Sequence, residues 1–141
     1  MSVQTLQGEA QAAIWGVLNP GGNLDSTLAT LGFQGLFDEV AEDQAFDYMS
    51  FGPTQELPDP YLAKQRAYIV ILQLDIWSRK PGFKTAQQAL ARVNVLVDQQ
   101  PLTLATLKHN GTWYNGSQQL RDNDEFATRH IAAKYKIEAQ E

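Results

Sequence analysis

Four carboxylates lie close together in the first half of the chain: Glu39, Glu42, Asp43 and Asp47. Two carboxyl groups can act as general acid and general base when burial separates their pKa values. These four flank a predicted turn between two short strands, where charged groups are normally solvated. The pattern therefore favours a solvated acidic cluster over a catalytic pair.

The chain has two histidines, His109 and His130. Alternation along the last predicted strand places His130 on its solvent face, and His109 stands beside a predicted turn. A metal ligand needs converging partners at suitable spacing, and the sequence supplies none. Ser78 could be combined with His130 in a triad, but no nucleophile elbow surrounds it. We therefore predict two surface histidines, no metal, no cofactor and no catalytic residue.

Composition excludes several further classes of protein. The 141 residues, 43% hydrophobic and 19% charged, fit one globular domain. The absence of cysteine excludes disulfides, thiolate zinc sites and cysteine nucleophiles. The net charge of -5 argues against nucleic-acid binding, which needs a basic face. The chain starts without a basic signal-peptide region, and no apolar run approaches the ~20 residues of a membrane span. We therefore expect a cytoplasmic product without a membrane partner.

Periodic apolar residues outline the elements that must position these groups. The predicted order is a helix near the N-terminus, a helix at 24–31, strands at 35–40, 46–51 and 66–77, and a helix at 83–98. Residues 66–77 form the clearest strand, because one of their two alternating sets is wholly apolar. The other set, which includes Gln73 and Asp75, is mixed.

Short strands are predicted after Pro101, at 102–107, 112–114 and 118–121. Asn110-Gly111 and Asn115-Gly116 are typical hairpin turns between them. A polar turn at 122–125 leads to a last strand whose inward residues are Ile131, Ala133, Tyr135 and Ile137. Runs of like elements indicate an α+β fold. We predict one domain over residues 1–141, with a mainly antiparallel sheet of about four to six strands packed against one long helix (83–98) plus an N-terminal helix.

Three prolines interrupt residues 53–60. Such a segment is not expected to pair regularly in a sheet, and its length predicts a mobile, functional loop at 53–65. Trp77 is expected in the core. Trp113, at a predicted hairpin tip, fits either a core residue or an interface anchor. The candidate protein-interface residues are Pro53, Glu56, Leu57, Pro58, Tyr61, Arg79, Trp113 and Tyr114.

The segment 74–79, Leu-Asp-Ile-Trp-Ser-Arg, followed by Pro81-Gly82 and an alanine-rich helix, resembles the signature segment of phage tail-completion proteins. These are the tail terminators of long non-contractile tails. Weaker motifs follow in matching order over nearly the full chain: Ala13-Ile14-Trp15, a leucine segment ending near Gly32, Leu36-Phe37-Asp38, residues 48–52, Pro101-Leu102-Thr103-Leu104, and residues 121–130. Asp47 stands where the family usually has proline.

The resemblance implies a structural assembly protein and not an enzyme. Such proteins form a six-membered ring on the head-proximal end of the tail tube, stop polymerisation of the major tail protein and present a docking face to the head-neck protein. DNA is expected to pass through an acidic lumen without specific binding. We accordingly expect the protein in the virion after assembly in the host cytoplasm, with the mobile loop ordering against a neighbouring subunit.

Two alternatives stay open. The first is a head-completion or stopper protein, which would attach to filled heads instead of tails. The second is a small α+β enzyme or ligand-binding domain, which would need a closed apolar pocket with converging polar groups. Asp75 and Gln73 are the candidates for that role.

Overall fold

The computed structural model describes residues 5–58, 67–122 and 127–141. Its helices are α1 (Leu6–Leu18), α2 (Ser26–Thr30) and α3 (Lys84–Val97). Its strands are β1 (Leu36–Phe37), β2 (Tyr48–Phe51), β3 (Gln55–Pro58), β4 (Ala67–Ser78), β5 (Lys108–Arg121) and β6 (Arg129–Gln140). The predicted α+β class is confirmed. With 13 residues in α1 and 14 in α3, the sheet packs against two helices of similar length.

A single sheet contains all six of these strands, in the order β1-β2-β4-β6-β5, while β3 pairs with another part of β4. β1 and β2 run parallel, and the other pairs are antiparallel. β4 and β6 pair without a break, from Ala67 opposite Gln140 to Ser78 opposite Arg129. This long pair is the centre of the sheet and confirms the two strands predicted there.

Helices α1 and α3 cover one face of the sheet and form the core with it. The strands bury Val70, Leu72, Leu74, Ile76, Ile131, Ala133, Tyr135 and Ile137. The helices bury Leu6, Ala10, Ile14 and Leu18 from α1 and Ala86, Ala89, Val93 and Val97 from α3, at helical spacing. Each large aliphatic side chain buried in this way contributes about 1.5–3 kcal/mol. The core therefore lies between the helices and a single face of the sheet.

Strand β5 is one continuous strand, so the prediction of two Asn-Gly hairpin turns is wrong. β5 pairs with β6 from Lys108 to Arg121, with register shifts between His109 and Gly111 and between Tyr114 and Ser117. Glycine within a strand commonly marks such a bulge. The regular apolar alternation of β6 offers a long partner, which outweighs the local turn preference. Trp113 therefore lies within a strand and not at a hairpin tip.

Residues 102–107 do not form the predicted strand, and the end of this segment is bound by a side chain of α1 instead. The carboxylate of Glu9 accepts hydrogen bonds from the N–H groups of Thr106 at 2.6 Å and Leu107 at 3.2 Å, and from the Thr106 hydroxyl at 2.8 Å. Glu9 is only 7% exposed. A buried carboxylate with several donors is a stable arrangement, and it holds the segment against α1.

Residues 55–58 contradict the prediction that the proline-rich segment cannot pair. β3 runs antiparallel to β4, with Gln55 opposite Ile71 and Pro58 opposite Tyr68. Proline is tolerated at the end of an edge strand, where it removes no necessary hydrogen bond. Residues 59–65 of the predicted mobile loop, with Tyr61, lie outside the described residues.

A second buried carboxylate, Asp25, joins α2 to α3. It caps α2 by accepting the N–H of Leu28 at 3.3 Å, and both its oxygens bind the Arg92 guanidinium at 2.9 Å. The Arg92 hydrogen bonds lower the pKa of Asp25.

For Glu9, burial acts to raise the pKa, but the Thr106 and Leu107 donors outweigh it and the pKa is lowered.

We predict that Glu9→Ala lowers the free energy of unfolding by about 2–4 kcal/mol at pH 7, because three donors lose a charged acceptor. The pKa of Glu9 is lower in the folded than in the unfolded chain. Its stabilisation is therefore present above about pH 4 and is lost as the pH falls through the folded pKa. Urea unfolding at pH 7 and at a lower pH should show the gap in unfolding free energy between variant and wild type narrowing as the pH falls below about 4.

The matched control is Glu42→Ala, since Glu42 is exposed. Its effect should stay within about 0.5 kcal/mol at both pH values. A Glu9→Ala defect that is the same at every pH would contradict the role given to the ionised carboxylate.

Candidate functional site: the open face of the sheet

The sheet face opposite the helices, here called the open face, carries the second alternating set of β4 and β6. It includes Ile69, Ile71, Gln73, Asp75 and Trp77 from β4, and His130, Ala132, Lys134, Lys136 and Glu138 from β6. None of the described helices packs on this face, because α1 and α3 lie on the other side.

A polar and aromatic cluster lies on the two central strands of the open face, near the end of β4 and the start of β6. The Asp75 Oδ1 atom lies 2.6 Å from His130 Nε2 and accepts the Gln73 amide at 2.8 Å. The His130 ring stacks on Trp77, with 3.8 Å between centroids and 12° between planes. His130 faces outward as predicted, yet its side chain is only 12% exposed. The prediction of a solvated surface histidine is therefore wrong.

His109 also departs from that prediction. It lies within β5 and is half-buried. Its Nδ1 accepts the Leu102 N–H at 3.2 Å, and its Nε2 lies 2.7 Å from the Thr112 hydroxyl. An accepting Nδ1 requires the neutral tautomer with its proton on Nε2. Burial accordingly lowers the pKa of His109.

An aromatic row continues from Trp77 towards the β1 edge. Tyr48 lies 6.3 Å from Trp77, and Phe46 lies 4.9 Å from Tyr48. The Arg79 guanidinium stacks over Phe46 at 3.8 Å, a favourable cation–π contact. The indole N–H of Trp77 donates to the Ser50 hydroxyl at 3.1 Å. Trp77 is therefore half-buried on the open face, and its prediction as a core residue is wrong.

Asp47 anchors this end of the open face. Its carboxylate accepts the Ser78 hydroxyl at 2.8 Å and the Arg79 N–H at 2.9 Å, and Lys80 lies 3.9 Å away. Asp47 is 4% exposed, whereas Glu39, Glu42 and Asp43 are exposed. The predicted solvated acidic cluster thus holds for three members and is wrong for Asp47. Ser78 serves here as a donor to Asp47 and is not paired with His130.

The other end of the open face is apolar and basic. The six-membered ring of Trp113 lies against Gly111, where an added Cβ would come within 2.3 Å of it. Trp113 is 40% exposed and Leu57 is 45% exposed, and Ile69 and Ile71 are half-buried between them. Lys136 stands opposite Trp113. Exposed aromatic and apolar side chains beside cations are typical of protein interfaces.

A polar depression of about 430 Å³ separates the two ends. It is lined by Gln73, His130, Ala132 and Lys134 together with residues 115–118 and Leu120. The bulge that contains Gly116 turns β5 over its rim. Its amides and hydroxyl offer both hydrogen-bond donors and acceptors, and Lys134 adds a positively charged donor.

The predicted interface residues fall into different environments. Pro53, Leu57, Pro58 and Trp113 are exposed, and Arg79 covers Phe46. Glu56 accepts the Gln7 N–H at 2.8 Å, so it positions α1. Tyr114 points to the helix side, where its ring lies 5.7 Å from Tyr135.

The enzyme alternative named Asp75 and Gln73, and the structure binds both of them into the cluster with His130. Over the described ranges, no group of three metal-ligating side chains converges. The meeting of Asp75, Trp77 and His130 was missed, although alternation placed His130 on the outward face of its strand and Asp75 in the mixed set of β4. The register between β4 and β6, which brings them together, has no signal in either strand alone.

Helices on one face of the sheet and an aromatic surface on the other define a two-layer α+β fold. The sequence model of the tail completion protein gp17 family matches residues 23–137. The chain belongs to this family and is a structural protein of phage tails. The resemblance drawn from the sequence is thereby confirmed.

The same fold occurs in a solved structure described as the virion of a native gene transfer agent (GTA) particle. The TM-score is 0.84 at 21% identity, and the match covers 99% of this chain and 100% of that chain. No curated protein sequence matches the chain. In the parts of the chain that the structure describes, no helix is long and apolar enough to cross a membrane.

We predict that Gly52→Ala lowers the free energy of unfolding by about 1–3 kcal/mol. A Cβ at this position would lie 2.4 Å from Asp75 Oδ2 and 2.8 Å from Gln73 Nε2, so the central cluster must shift. Gly16→Ala is the control, because nothing lies within 4 Å of the added Cβ. That helix substitution should stabilise by about 0.5–1 kcal/mol. Thermal unfolding measures both variants, and equal changes in unfolding free energy for Gly52→Ala and Gly16→Ala would contradict the close packing at Gly52.

We predict that Asp47→Ala lowers the free energy of unfolding by about 2–4 kcal/mol, because the Ser78 hydroxyl and the Arg79 N–H lose a buried charged acceptor. Asp43→Ala removes an exposed carboxylate from the same loop and should change stability by less than about 0.5 kcal/mol. Urea denaturation of both variants measures the difference. Near-identical midpoints would show that Asp47 does not anchor this end of the sheet.

Proposed function

We propose that the protein caps the head-proximal end of the tail tube as a ring of six copies, stops the addition of tail protein and provides the surface that joins the head. The family match over residues 23–137 carries the proposal. The likeness in fold to a chain of a gene transfer agent virion supports it. The partners would be other copies of the chain, the major tail tube protein and a head-neck protein, with DNA passing through the ring.

The order of the open face supports a role in protein contact. Hydrogen bonds and stacking fix its cluster of Asp75, Trp77 and His130, while Gln73 and Ser50 hold the rim of that cluster. A surface that keeps its shape on binding has less conformational entropy to lose. Such a face can therefore recognise a repeated partner without prior rearrangement.

Exposed apolar side chains occur on both layers, as a joining protein requires. Trp15 on α1 and Val95 on α3 are exposed on the helix side, and Leu57, Trp113 and Leu120 are exposed on strands. A ring subunit between a tube and a head must contact its neighbours, the tube and the head. Anchors on opposite sides of the subunit supply these separate contacts.

The direct test is electron microscopy of the purified protein mixed with growing tubes of the major tail protein of its phage. We predict a ring at one end of each tube and no growth beyond it. Tubes without the protein are the control and should continue to lengthen. Mean tube length, measured with the protein added at successive times, should stay fixed from the moment of addition.

A parallel sample with DNA-filled heads distinguishes a tail terminator from a head-completion protein. Bare tube ends together with decorated heads would replace the terminator with a head-completion protein. Bare tubes and bare heads would remove both assembly roles.

A further inference from the structure

The charges of this chain are divided along its length. Residues 1–63 contain nine acidic residues and no lysine or arginine, whereas residues 64–141 contain all eleven basic residues and seven acidic ones. The first part therefore has a formal charge of -9 and the second +4. In the fold, β1 and β5 form the two opposite edges of the sheet. Part of this asymmetry thus becomes an asymmetry between the two edges.

The acidic edge is residues 38–43, the segment that follows β1. Asp38, Glu39, Glu42 and Asp43 are all exposed, with half-buried Val40 and exposed Ala41 between them. None of the four forms a salt bridge with another described residue. Four like charges in six residues repel one another, so an external cation would relieve the segment.

The basic side is the part of the open face formed by Lys134 and Lys136 of β6, together with Trp113 of β5. Lys134 is exposed and has no ion-pair partner in the described ranges. Lys136 reaches Glu138 at 3.2 Å and remains opposite the exposed indole. The polar depression opens beside Lys134. Cations, amide donors and an apolar anchor therefore lie together.

We propose that the acidic edge of one copy docks on the basic side of the next copy. Its carboxylates would meet Lys134, Lys136 and the donors of the depression, and Val40 would pack near Trp113. Within one chain β1 and β6 are three strand spacings apart, about 14 Å, so the two surfaces do not pair in the same copy. This inference rests on the proposed ring and names the contact between its subunits.

The chemistry favours a second copy over nucleic acid as the occupant. Phosphate binding calls for a broad basic face, whereas Glu138 and Asp75 lie on the same face as the two lysines. The acidic edge offers carboxylates and an apolar pair in one short segment, which matches cations and an indole. The contact joins two different surfaces, and repetition of such a head-to-tail contact gives a ring when the rotation closes.

The absence of native cysteine permits a clean cross-linking test. Ala41→Cys marks the acidic edge, and Gln118→Cys marks the basic side beside the depression; both positions are exposed. With a short bismaleimide, the double variant should give a ladder of oligomers that ends at one closed size. Each single cysteine variant should give no cross-linked product, because a head-to-tail contact does not bring identical positions together. Efficient dimerisation of either single variant would overturn the proposal.

Charge reversal tests the chemistry of the contact. One copy carries Ala41→Cys with or without Glu39→Lys and Glu42→Lys, and the other carries Gln118→Cys with or without Lys134→Glu and Lys136→Glu. Reversing either copy alone should lower the heterodimer yield roughly tenfold at low salt, and reversing both should restore it. Lys84→Glu, an exposed charge on α3, is the control and should leave the yield unchanged.

Lys134→Glu alone spares the pair between Lys136 and Glu138, and it should lower the yield in the same direction. Failure of the double reversal to restore cross-linking would overturn the proposed pairing. The proposal would also be overturned if the double cysteine variant gives no ladder and the Lys134→Glu substitution abolishes binding to duplex DNA. If the wild-type protein caps tubes but the double cysteine variant gives no ladder, this contact alone is refuted. If the double variant gives a ladder but the wild-type protein does not cap tubes, the terminator role alone is refuted.

Discussion

The pairing of β4 with β6 is the interaction on which the rest of the structure depends. Its register assigns one alternating set of side chains to the helices and the other to the open face. A slip of one residue would exchange the two sets and expose the core. The pairing also brings His130 beside Trp77 and within reach of Asp75. The central cluster is therefore a consequence of the same register that forms the core.

Buried carboxylates connect the irregular segments to this framework. Glu9 holds residues 105–107 against α1, Asp25 joins α2 to α3, and Asp47 ties the start of β2 to the end of β4. In each case a buried anion accepts hydrogen bonds from backbone or side-chain donors of a segment distant along the chain. Three of the nine carboxylates in residues 1–63 are thus structural, and four exposed ones follow β1.

The sequence predicted the elements whose signal is local. β4, β6 and α3 have unbroken apolar periodicity. β4 and α3 were placed within one residue at each end, and the inward residues of β6 were identified. β5 was predicted as separate short strands because Asn-Gly favours a turn locally. In the fold, pairing with the long strand β6 keeps this segment extended. Residues 102–107 and Asp47 were misjudged because their partners are distant along the chain. The open face was predicted as a mixed set of residues, but its clustering depends on pairing between strands that neither strand encodes alone.

The unbroken β4–β6 pair also has a mechanical consequence. Antiparallel hydrogen bonds lie perpendicular to the strands, so a pull along the strand axis loads every bond of this pair at once and not one after another. The chain ends its described part with β6, and β4 leads into α3 through the turn anchored by Asp47. Force applied along these two strands would be shared in shear across the middle of the sheet, which is the direction in which such a ribbon best resists rupture.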